Sequence, residues 1–150
     1  MAVSQKCQYA LRSLFELAKR HNSGPAKISD IARTQNIPSR FLEVILNELK
    51  QGGFTESRRG KEGGYFLARA PEDISVGEIV RFVQGPLFPV DEEALFPGKN
   101  PPPDTPGVVF VPIWKRVENA LSEIYDQTTF RDLLDEEERL RSTFVPDFTI

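Results

Sequence analysis

The chain has 150 residues, 39% of them hydrophobic, with 19 Lys and Arg against 22 Asp and Glu, enough for one compact domain or for a small domain with an appended oligomerisation element. No apolar run approaches the roughly 20 residues that a membrane-spanning helix requires, and Gln5, Lys6 and Gln8 interrupt the start where a signal peptide is apolar, so a cytoplasmic protein without membrane contact is expected. The single Cys7 excludes an internal disulfide and a multi-cysteine metal or cluster site, and reads as a small buried hydrophobe.

The net charge of −3 conceals a division. Residues 1–69 hold 12 Lys and Arg against 6 Asp and Glu, whereas residues 70–150 hold 7 against 16. A basic half joined to an acidic half suggests that one end meets a polyanion.

The first helical pattern opens after Ser4, a good N-cap, with Cys7, Leu11, Leu14 and Ala18 on one stripe, and should end near His21 because Asn22-Ser23-Gly24-Pro25 is a stop signal. A short second helix opens at Ser29 and runs to Gln35. Asn36 then suits a left-handed turn, Ile37 plugs the core, and Pro38-Ser39 supplies a turn and a fresh N-cap. The third helix, Ser39 to Gln51, commits Leu42, Ile45, Leu46 and Leu49 to the core, so Arg40, Phe41, Glu43, Val44 and Asn47 look outward. Gly52-Gly53 closes it.

Strand candidates at 54–57 and 65–68 flank Arg58-Arg59-Gly60-Lys61-Glu62-Gly63-Gly64, a hairpin with a basic, glycine-rich tip. Ser75 and Glu78 form a capping box and Ile74 with Ile79 a hydrophobic staple, which predicts a helix over 76–84 closed by Gly85. Residues 86–112 contain 8 of the 12 prolines and therefore form a connector. Its Leu87, Phe88, Leu95, Phe96, Val109 and Phe110 are apolar enough that part of it should pack on the body.

From Pro112 the helical period returns, with Ile113, Val117, Ala120 and Ile124 on one stripe and Trp114, Leu121 and Tyr125 on a second. Two stripes need two partners: the parent domain and a second copy of the same helix. Thr128-Thr129 caps a last helix whose first half is acidic, and the tail from Phe144 to Ile150 carries no clear signal.

Helix, tight turn, helix and basic hairpin, in that order, make a winged helix-turn-helix. The expected fold is mostly α with a small β-hairpin: a DNA-binding domain over 1–85, a connector over 86–111, a C-terminal dimerisation helix over 112–127, and a short helix with tail over 128–150. Glu43 is the candidate base reader, since a carboxylate accepts a hydrogen bond from the cytosine amino group. Ser39 and Arg40, near the helix start, suit phosphate. Arg58, Arg59, Gly60 and Lys61 suit the DNA backbone or minor groove, the glycines of the loop admitting a sugar-phosphate wall. The loop is no phosphate-binding P-loop, because no Gly-Lys-Ser/Thr opens a helix.

Catalysis has no basis in this chain: it has one His and one Cys, no nucleophile elbow and no zinc-type spacing. His21 reads as a helix-end cap or solvated residue, and Glu136-Glu137-Glu138 as a solvated face. The rival reading is a winged-helix adaptor that binds an acidic protein and no DNA. Trp114 with Phe82, Phe88, Phe96 and Phe110 suits core or interface packing better than a ligand pocket.

Tyr9-Ala10-Leu11-Arg12, Ile31-Ala32, Phe41-Leu42-Glu43, and above all Arg59-Gly60-x-x-Gly63-Gly64-Tyr65-x-Leu67-Ala68-Arg69 followed by Ile74-Ser75-Val76, resemble the Rrf2 family of bacterial regulators, the group of IscR, NsrR and CymR. The resemblance extends over the Trp114 helix and Thr128-Thr129-Phe130-Arg131-Asp132-Leu133. It implies a homodimer that packs residues 112–126 against their twin, reads a palindromic operator in double-stranded DNA, and uses Phe41, Glu43 and Arg59 in recognition. Family members that sense iron, nitric oxide or redox state hold an iron–sulfur cluster on three cysteines before the dimer helix, and residues 86–112 contain none. The resemblance therefore implies a member with no cluster cofactor and no metal, leaving a small-molecule effector near the connector, a partner protein, or no effector.

Overall fold

The computed structural model describes residues 2–88 and 99–147. Helix α1 (Gln5–Lys19) starts where the Ser4 hydroxyl accepts the Cys7 N–H at 3.1 Å. It stops two residues before the expected His21, because the chain tightens: His21 N–H reaches back three residues to the Ala18 carbonyl and Ser23 N–H to that of Arg20. Helix α2 spans Ile28–Gln35, opening one residue earlier than expected, and ends in a left-handed Asn36 (φ 52°). That turn aims Ile37, only 3% exposed, into the core.

Helix α3 (Ser39–Gln51) buries Leu42, Ile45, Leu46 and Leu49 as its spacing predicts. Its N-cap is Pro38, not Ser39, and no side chain caps its first N–H groups. Ser39 thus becomes the first helical residue. Strands β1 (Thr55–Arg58) and β2 (Gly64–Leu67) pair antiparallel with Thr55 opposite Leu67 and Arg58 opposite Gly64. A further pairing had no signal in the sequence: Ala26 and Tyr65 exchange both backbone hydrogen bonds at 2.8 Å, which ties the segment before α2 to the hairpin.

After a 3₁₀ turn at Pro71–Asp73, α4 (Val76–Gln84) opens with both bonds of the predicted capping box, Ser75 with Glu78, and ends at Gly85 (φ 92°). Leu87 packs on Cys7 and Val80, so this part of the connector does join the body. Val109 and Phe110 instead stay exposed within a 3₁₀ turn at Val108–Phe110. Leu95 and Phe96 lie outside the described residues.

Helix α5 (Val111–Gln127) leans on α4 through a two-pronged ion pair, in which Arg81 Nη2 donates to Asp126 Oδ2 at 2.8 Å. These hydrogen bonds hold the Asp126 carboxyl below its ordinary value. Helix α6 (Phe130–Thr143) follows a capping box of Thr129 with Asp132. It is no loose appendage: Val76 N–H donates to the Thr128 carbonyl and Phe130 N–H to that of Ile74, while Phe130, fully buried, completes the core shared by α1, α3 and α4. Lys19 of α1 reaches Glu137 of α6 at 3.1 Å.

Candidate nucleic-acid interface

A helix that reads DNA must be held rigidly on one side and left open on the other. Here α3 is held on three sides. Its four leucine and isoleucine anchors are at most 4% exposed. On the α1 flank, Lys6 pairs with Glu48 at 2.8 Å. On the hairpin flank, Lys50 donates to the Ser57 hydroxyl at 2.7 Å, and the buried Thr55 hydroxyl donates to the Leu46 carbonyl. Helix α2 is fixed in turn by Gln35, whose amide donates to Glu16 at 3.0 Å. Burial pushes the Glu16 carboxyl up, but the hydrogen bonds from Gln35 and Arg20 and the charges of Lys19 and Arg20 outweigh that and hold it below its ordinary value.

The open side is the strip of Arg40, Val44, Asn47 and Gln51, spaced four, three and four, with Ser39, Phe41 and Glu43 at its edges; all are exposed. The Arg40 guanidinium lies over the Phe41 ring at 4.8 Å. Because α3 has no side-chain cap, its first N–H groups and the positive end of its dipole face the same direction as Ser39 and Arg40, an arrangement suited to a phosphate. The α3 residues singled out from the sequence are therefore all on its exposed side.

The hairpin tip places Arg58, Arg59, Gly60 and Lys61 in solvent. Arg58 is steadied over the Phe66 ring at 5.5 Å. Among the described residues Arg40, Arg58, Arg59 and Lys61 enter no ion pair, so their charge is available to a polyanion. The glycines, however, divide differently from expectation. Only Gly60 (φ 109°) has open space around it; a Cβ on Gly63 would lie 2.1 Å from the Arg58 carbonyl oxygen, and one on Gly64 (φ 153°) 2.3 Å from that of Ala26. Gly63 and Gly64 thus serve the internal close approach of the chain to itself. Sequence reasoning also missed Lys6 and Tyr9, which α1 brings beside α3; no local spacing reveals a contact set by tertiary packing.

On α5, Leu121 and Tyr125 turn toward α4 and line, with Val3, Val80, Leu87 and Phe88, a cavity of about 340 Å³. Ile113, Val117 and Ile124 point away and are 48%, 37% and 66% exposed, and Ala120 is exposed between them. Trp114 sits between Phe88 and Phe110, with ring centroids 6.2 and 6.3 Å away. Phe82 is not part of that group: it meets Phe54 edge-on at 5.2 Å. Phe96 lies outside the described residues.

The donor set does not fit an iron–sulfur cluster. Cys7 is fully buried, burial pushes its thiol up, and its neighbours Val80 and Leu87 are apolar. Residues 86–112 contain neither Cys nor His, and among the described residues no three His, Cys, Asp or Glu side chains converge on a metal position. No helix among the described residues is long and apolar enough to cross a membrane.

The profile of the Rrf2 family, described as an iron-dependent transcriptional regulator, matches residues 3–136. The HTH-type transcriptional regulator CymR of Bacillus subtilis (strain 168) is 36% identical over 137 residues, covering 89% of each chain. The solved structure of CymR, the global cysteine regulator of B. subtilis, superimposes with a TM-score of 0.76 at 33% identity, covering 91% of this chain and 98% of that one. That of T. potens IscR gives a TM-score of 0.75 at 29% identity, covering 99% and 95%. Members of this group are transcription regulators and not enzymes. With its helix-turn-helix, basic hairpin and winged-helix frame, the chain belongs to the Rrf2 family of DNA-binding transcriptional regulators.

Proposed function

We propose that this chain is a cluster-free repressor that binds a palindromic operator as a homodimer. The observation that carries the proposal is the pairing of an exposed strip on α3 with a hairpin tip whose cations enter no ion pair among the described residues. In this reading Ser39 and Arg40 take a phosphate, Glu43 accepts from a cytosine amino group, and Phe41, Val44 and Asn47 complete the base-facing surface. Arg58, Arg59, Gly60 and Lys61 grip the adjacent backbone or minor groove.

The second copy covers the outward stripe of α5, with Ile113, Val117, Ala120 and Ile124 at its centre and Trp114 at its edge; Leu121, expected there from the sequence, turns toward α4 and lies outside it. The exposure of three large aliphatic side chains on one helix face supports this. Two α3 helices related by a two-fold axis match an inverted repeat. Repression is the simplest output, because an operator-bound dimer excludes other proteins from the same duplex. The buried lone cysteine and the cysteine-free connector support regulation without a cluster.

Selection from a random duplex library tests the reading. It should enrich an inverted repeat whose affinity falls steeply with salt; no enrichment, with weak salt dependence, would leave the adaptor reading. Glu43→Ala should alter preference at one position per half-site, changing discrimination there by about 1–3 kcal/mol, with an unchanged melting temperature because the side chain is exposed. A variant that melts early yet keeps its base preference removes Glu43 from the interface. Val117→Asp or Ile124→Asp should give monomers in sedimentation with helicity intact; a persisting dimer would place the contact elsewhere.

A further inference from the structure

We propose that the cleft between α1 and α3 receives the 5-methyl group of an operator thymine, with Val44 and Phe41 as the residues that read it. The inference deepens the operator-reading proposal and rests on it.

The outward surface of α3 is polar at Ser39, Arg40, Glu43, Asn47, Lys50 and Gln51, and apolar only at Phe41 and Val44, which are 47% and 55% exposed. Neither is needed by the core, since Leu42, Ile45, Leu46 and Leu49 already close it. Instead they wall a concavity of about 330 Å³ whose other lining residues are Gln5, Lys6, Tyr9 and Ile45. The position decides the occupant. Val44 lies four residues after Arg40 and three before Asn47 on one strip, so a duplex that meets those two side chains also covers Val44.

On the floor of the major groove the thymine methyl is the one apolar feature that base pairs present. An apolar protein partner suits the site less well. Its rim holds the Arg40 guanidinium, stacked on Phe41 at 4.8 Å, and the Lys6 ammonium, fixed by Glu48 at 2.8 Å. Cations around an apolar notch match phosphates around a methyl group.

The test replaces each thymine of the selected operator, one at a time, by deoxyuridine, which removes only the methyl group. Wild-type protein should lose about fourfold in affinity at one symmetry-related position per half-site, the value of burying one methyl. In the double variant Phe41→Ser, Val44→Ser, which removes both apolar walls at exposed positions, the thymine and deoxyuridine duplexes should bind alike at that position. Equal binding of all single-deoxyuridine duplexes by the wild type overturns the inference while leaving operator recognition intact. A deoxyuridine effect that survives in the double variant assigns it to duplex shape and also overturns it. If no duplex is enriched in the first place, the operator reading fails and this inference fails with it.

Discussion

Phe130→Ala should lower stability by about 3–5 kcal/mol, the range for removing a fully buried aromatic ring, and it should do so cooperatively across the whole molecule. Phe130 has no exposed surface and stands in the same apolar cluster as Leu14 of α1, Leu46 of α3 and Ile79 of α4. Its backbone N–H also donates to the Ile74 carbonyl at 3.1 Å, so the ring and the strand-like bridge it sits on dock α6 together. A thermal melt should fall by about 10 °C or more for a chain of this length. A variant that melts within about two degrees of wild type would mean that α6 is an appendage and not part of the core.

Gly64→Ala should be nearly as costly, by about 3 kcal/mol, for a different reason. The new Cβ would sit 2.3 Å from the Ala26 carbonyl oxygen and 2.6 Å from its carbonyl carbon, both backbone atoms that cannot swing aside. Relief requires breaking the Ala26–Tyr65 bridge, whose two bonds of 2.8 Å tie the hairpin to the start of α2. Gly60→Ala is the natural control. Gly60 also has a positive φ, 109°, but nothing within 4 Å of its Cβ position, so it bears only the backbone strain, about 1–2 kcal/mol. Equal melting temperatures for the two variants would show that the close approach at Gly64 contributes nothing. Loss of the bridge should also weaken DNA binding in Gly64→Ala, because the hairpin is then held beside α3 only by the Lys50–Ser57 and Thr55–Leu46 hydrogen bonds and its core contacts.

Local signals carried much of the fold. The capping boxes at Ser75 and Thr129, the leucine and isoleucine face of α3, and the left-handed Asn36 were all legible, because each depends on residues within a turn or two of one another. The outward position of Arg40, Phe41, Glu43, Val44 and Asn47 followed from the same periodicity, since burying one face of a helix exposes the other. Boundaries were less legible. Helix α1 ended at Lys19 through a tightening of its last turn, and α3 took Pro38 for its cap.

By itself the sequence determined which segments are helices to within a residue or two, which face each one buries, and that a basic hairpin follows a helix-turn-helix, because hydrogen-bond geometry and hydrophobic periodicity act over a few residues. Only the tertiary structure decided that Ala26 would join the hairpin, that Gly63 and Gly64 serve internal packing, that α6 would return Phe130 to the core, and that Lys6 and Tyr9 would meet Phe41 and Val44 around one cleft. Those contacts join residues distant in the chain. They form because the whole set of apolar faces has to be covered at once, a condition that no single segment specifies.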